Sequence, residues 1–97
     1  MFQWLNKQGV KSDKGFVVQS MHRYYYHYVE GDHVMRVVVE PCRDPNTQGY
    51  FEEVALASFT KWEPPFDNEL VSALSRQQIR ENFLSALKFM DIQVKLV

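Results

Sequence analysis

The chain has one cysteine in 97 residues, Cys42. A single thiol forms no disulfide within the chain and completes no cysteine-based zinc framework. Glycine is also sparse: Gly9, Gly15, Gly31 and Gly49 lie far apart, so no glycine-rich loop cradles a phosphate. No apolar run approaches the roughly 20 residues that cross a bilayer. The start, Met1 to Lys7, lacks the basic opening and long apolar stretch of a secretory signal. These absences point to a cytoplasmic protein with no membrane segment.

Groups that do chemistry are just as thinly placed. His22, His27 and His33 follow no metal-ligand spacing. Arg43 beside Cys42 would favour a thiolate, but no hydrolase motif surrounds the pair. Glu52 and Glu53 alternate across a strand and cannot work together, and Glu63 and Asp67 flank a loop with little room for a sugar cleft. The residues therefore assign no catalytic group, no metal and no cofactor.

What is present is a core. Fourteen aromatics and a 45% hydrophobic fraction suffice for one domain spanning residues 1–97. The net charge of −1 conceals an uneven distribution. Residues 1–43 carry six basic against four acidic side chains, and residues 70–97 carry four against two. Residues 44–69 carry only Lys61 against six carboxylates. An acidic middle of this kind suits a basic partner and repels a phosphate backbone.

Hydrophobic periodicity gives the element order. Phe2 to Gln8 reads as a short helix or turn ended by Gly9. Gly15 to Ser20 reads as a strand. Tyr24 to Glu40 reads as a hairpin with Gly31 and Asp32 in a II′ turn, which pairs His27 with Arg36 and Tyr28 with Met35. One face then carries Tyr24, Tyr26, Tyr28, Met35, Val37 and Val39; the other carries Tyr25, His27, Val29, Val34, Arg36 and Val38. The first is the core side, because the second holds Arg and His along its middle. Glu52 to Phe59 reads as a further strand.

The strongest helix signal follows. Ser75 and Gln78 make a capping box, with Leu74 and Ile79 as a hydrophobic staple. Ile79, Phe83, Ala86, Leu87 and Met90 form its buried stripe. Asp91 stands where Gly or Asn is commoner, and Ile92 to Val97 alternates as a last strand. The expected fold is α+β: an antiparallel sheet of four to five strands packed on one main C-terminal helix, with one sheet face open.

The segment Trp62-Glu63-Pro64-Pro65-Phe66-Asp67 is a stiff loop between sheet and helix. Trp62 and Phe66 either cap the core or anchor a partner. Glu63, Asp67 and Glu69 are the candidate charge contacts, and the open face with Tyr25, His27 and Arg36 is a second candidate surface. Tyr24, Tyr25 and Tyr26 could stack bases, but the basic and glycine pattern of an RNA-binding sheet is missing, so direct nucleic-acid binding is not expected.

Several motifs run in order: Gly15-Phe16-Val17-Val18-Gln19, Tyr28-x-Glu30-Gly31, Val37-x-Val39-Glu40, Thr60-x-Trp62-x-Pro64-Pro65, Ser75-x-x-x-Ile79 and Ala86-Leu87-x-Phe89. Over nearly the whole chain this resembles the small immunity proteins of bacterial polymorphic toxin systems, including those of contact-dependent growth inhibition. The resemblance implies a non-enzymatic protein that binds a cognate toxin domain, such as a nuclease with a basic cleft, in the cytoplasm. No family contact residues carry over, since such surfaces diverge with their toxins. A different reading is a small scaffold or regulatory subunit that forms a homodimer through its open sheet face.

Overall fold

The computed structural model describes residues 1–97. Seven strands line up in sequence order: β1 (Phe2–Asn6), β2 (Gly9–Ser12), β3 (Phe16–His22), β4 (Tyr25–Glu30), β5 (His33–Arg43), β6 (Tyr50–Val54) and β7 (Val94–Leu96). A 3-10 helix (Leu56–Thr60) and the long helix α1 (Ala73–Phe89) connect β6 to β7. Neighbours pair antiparallel except β6 and β7, which run parallel because α1 carries the chain back across the sheet.

The α+β class with a C-terminal helix stands, but the antiparallel sheet of four to five strands is corrected to a mixed sheet of seven. Two of the differences lie at the N-terminus. Phe2 to Gln8 is not helical, since so short a helix gains little without tertiary support. Instead the Asn6 side chain accepts a hydrogen bond from the Gln8 backbone N–H at 2.8 Å, and the turn folds β1 onto β2. Phe2 then packs on Phe16 and Phe89, with ring centroids 5.8 and 5.3 Å away. Gly9 has a different role from a helix stop: a Cβ there would meet Gln19 Oε1 at 2.0 Å, so glycine lets that side chain lie across β2.

The central hairpin has the register its turn chemistry predicts, from Glu30 opposite His33 to Tyr25 opposite Val38. Gly31 takes φ +59°, and Asp32 stays outside the left-handed region, as a II′ turn requires. The face with Tyr26, Tyr28, Met35, Val37 and Val39 is buried. Tyr24, placed on that face by alternation, lies just before β4 and is exposed.

The predicted strand from Glu52 to Phe59 stops at Val54. Beyond it the chain turns to cover the edge of β5. Ala55 N–H donates to the Val38 carbonyl at 3.0 Å, Val38 N–H to Ser58 Oγ at 2.9 Å, and Glu63 N–H to the Val34 carbonyl at 2.7 Å. The 3-10 helix drives Phe59 inward against Phe83, 5.7 Å between centroids.

Helix α1 begins earlier than its capping box suggests. Ser72 is the N-cap, its hydroxyl accepting from Ser75 N–H at 3.1 Å. Leu74 is exposed and staples nothing. Ile79, Phe83, Ala86 and Leu87 are buried as the stripe predicts, and Met90 packs partly buried against them. At the other end Asp91 adopts φ +61°, Ile92 N–H reaches the Leu87 carbonyl and Asp91 N–H the Lys88 carbonyl, a Schellman closure. The core lies between α1 and one sheet face; the other face, with Tyr25, His27, Val29, Val34, Arg36 and Val38, has no element packed across it.

Candidate functional site

The loop from Trp62 to Leu70 meets the tip of the β4–β5 hairpin through one residue that sequence reasoning set aside. His33 stacks on Phe66 at 3.7 Å and 17° and meets Trp62 edge-on at 5.1 Å. Its Nε2 lies 2.9 Å from Glu69 Oε2 and its Nδ1 3.0 Å from Asp32 Oδ1. The hydrogen bond to Glu69 raises the His33 pKa above the usual histidine value, with Asp32 assisting against partial desolvation. Trp62, Phe66 and Glu69, three of the predicted residues, are thus gathered around one imidazole.

The other predicted residues form a second chain of contacts. The Glu63 carboxylate pairs with Arg36 Nε at 3.3 Å, and the Arg36 guanidinium lies over the Tyr25 ring at 4.2 Å. His27 sits opposite Arg36 across the ladder. Its pKa is lowered, first by burial and then by the Arg36 charge, both of which favour the neutral imidazole. Asp67 lines a shallow groove of about 610 Å³ with Arg36, Trp62 and Glu63.

The two surfaces drawn from the sequence are therefore one. Trp62 faces the histidine cluster, its neighbour Glu63 reaches the open sheet face, and the Arg36–Glu63 pair joins them. Trp62 is half-buried and packs on the core, the first of the two roles considered for it.

Beside His33 the surface opens into a cavity of about 360 Å³ whose walls include Glu30, Trp62, Glu69, Leu70 and Ile79. Glu30 is held there by Tyr28, whose hydroxyl donates to it while accepting from Asn82 Nδ2 at 2.9 Å. Burial, and next the bond to Glu30, raises the Tyr28 pKa. Two leucines flank this corner almost bare: Leu70 is 99% exposed and Leu74 80%. Neither stood out in the sequence, where Leu70 sits among polar residues and Leu74 reads as part of a staple.

The Cys42 pKa is raised, by burial first and by Glu53 next, and Arg43 does not reverse this. Cys42 Sγ instead donates to the Glu40 carbonyl at 3.5 Å. No three His, Cys, Asp or Glu side chains converge as a metal-ligand set. No helix is long and apolar enough to cross a membrane.

The fold and corner describe a two-layer α+β domain with an acidic, aromatic surface. Comparisons with protein-family models, curated proteins and solved structures return no match.

Proposed function

We propose that this chain is a non-catalytic binding protein that neutralises a cognate bacterial toxin domain in the cytoplasm, docking it through the corner built on Trp62 to Leu74. One observation carries the reading: the bare Leu70 and the half-buried Trp62 line one cavity with the carboxylates of Glu30 and Glu69, and the exposed Leu74 directly precedes its wall residue Ser75. An apolar centre with a polar rim is the anatomy of a protein interface. The rim calls for a basic partner surface, such as the substrate cleft of a nuclease, and its field would speed encounter. Tyr25, His27 and Arg36 extend the contact area onto the open sheet face.

A second reading, homodimerisation of a scaffold or regulatory subunit, is favoured by the half-buried row Val17, Val29 and Val34 on that face.

The test is co-expression with a toxin domain encoded beside this gene. Toxin reading: a stable complex forms, Leu70→Asp weakens it at least tenfold, and Glu63→Lys with Asp67→Lys slows association and flattens its salt dependence. The reading fails if no complex forms at micromolar concentrations or if these variants bind unchanged. A dimer of the free chain that Val29→Lys dissociates would favour the second reading.

A further inference from the structure

At the opposite end of α1 a separate cavity of about 290 Å³ has a carboxylate in its wall. Glu52 stands on the core face of β6 and is only 4% exposed. Strand alternation puts it there: its neighbours two residues away are Tyr50 and Val54, and Glu53 points to the other face. The Tyr26 hydroxyl donates to Glu52 Oε2 at 2.6 Å. Burial first, and then the nearby Glu52 charge, pushes Tyr50 up to about 12.

No cation answers this carboxylate. None of the molecule's ion pairs includes Glu52. A buried carboxylate is expensive unless it is paired, and a phenol supplies a hydrogen bond but no charge. Lys7 and Arg23 line the same cavity and are equally free of carboxylate partners; the Arg23 guanidinium rests 5.6 Å from the Tyr24 ring. The cavity thus has an unpaired negative group on its buried side and two unpaired positive groups on exposed residues. Trp4, Met90 and Ile92 supply apolar wall to the same cavity.

We infer that this cavity binds a small zwitterion, an apolar α-amino acid, with its ammonium on Glu52 and its carboxylate on Arg23 and Lys7. The charges match in sign and in order, inner cation and outer anion. At about 30 Å³ per water the space holds roughly ten waters, room for one amino acid. The inference is independent of toxin binding, since the two cavities meet the helix at Ser75 to Ile79 and at Met90, about 17–22 Å apart at 1.5 Å per residue.

The test uses the full chain, ¹⁵N-labelled and titrated with L-leucine and L-phenylalanine to millimolar concentrations. Saturable shift changes are expected at Lys7, Arg23, Tyr50, Glu52 and Ile92. N-acetyl-L-phenylalanine lacks the cation and L-phenylalaninamide lacks the anion; each should bind about tenfold or more weakly, as loss of a charge-assisted hydrogen bond implies. Glu52→Gln, which keeps the shape, should lose binding to the same degree. Arg23→Gln, at an exposed position, provides the same test without touching the core. The inference is overturned if neither amino acid gives saturable shifts there. It is equally overturned if the acetylated or amidated analogue binds as well as the parent, or if Arg23→Gln binds undiminished.

Discussion

Removing the Tyr26 hydroxyl isolates the energetics of the buried carboxylate. In Tyr26→Phe the ring keeps its edge-on contact with Phe83, 5.5 Å and 89°, so apolar packing is preserved. Only the donor to Glu52, at 2.6 Å, is lost. A hydrogen bond to a charged group contributes about 1.5–3 kcal/mol, and a buried acceptor left unmatched adds to the loss, so about 2 kcal/mol is a conservative figure. A chain of this size has about 5–15 kcal/mol in total, and each kcal/mol moves its melting point by about 4–8 °C. The expected fall in Tm is about 8–16 °C, with a lower urea midpoint and an unchanged m-value. Replacing both partners, in Tyr26→Phe with Glu52→Leu, should recover stability to within about 1 kcal/mol of the parent, because no polar group is then stranded. That double variant should also bind no amino acid. A Tyr26→Phe chain within about 0.5 kcal/mol of the parent, the range of surface substitutions, would refute the reasoning. So would a double variant less stable than the single one.

Three further outcomes follow from local geometry. Asp91→Gly should stabilise the chain by up to about 1 kcal/mol, since φ +61° strains any residue with a Cβ; thermal melts read it, and a loss of stability would contradict the Schellman closure. Phe83→Ala should cost about 3–5 kcal/mol, because a fully buried ring that touches both Tyr26 and Phe59 leaves a cavity; denaturant melts measure it. For His33 the folded pKa is raised, chiefly by Glu69, so its contribution is complete below the ordinary histidine value and disappears as pH rises through the higher folded pKa. Amide exchange across residues 62–70 should therefore quicken, after correction for intrinsic rates, between mildly acidic and mildly alkaline pH, and His33→Gln should abolish the change.

The hairpin and the helix stripe were legible because each depends on local chemistry. Gly31 and Asp32 select a two-residue turn, the turn sets register, and period-two alternation then assigns both faces. The stripe from Ile79 to Leu87 needs only the 3.6-residue repeat. The N-terminal hairpin was not legible, because Phe2 and Leu5 fit a helical face as readily as a strand. What decides it is Phe2 finding Phe16 and Phe89, contacts remote in sequence. Ser58 and Phe59 alternate like a strand, yet the edge of β5 and the Phe83 ring pull them into a 3-10 turn. In the candidate site, the acidic and aromatic character of Trp62 to Glu69 is written in composition. His33 as its centre is not, since 36 residues separate it from Glu69.

By itself the sequence determined the α+β class, the hairpin register, the helix stripe and the uneven charge, all of which rest on interactions between residues near one another in the chain. Tertiary structure alone decided the seven-strand count, the parallel β7, the union of the acidic loop with the open face through Arg36 and Glu63, and the burial of Glu52 beside a cavity. Each of these depends on which distant side chain arrives opposite another, and no local periodicity encodes that.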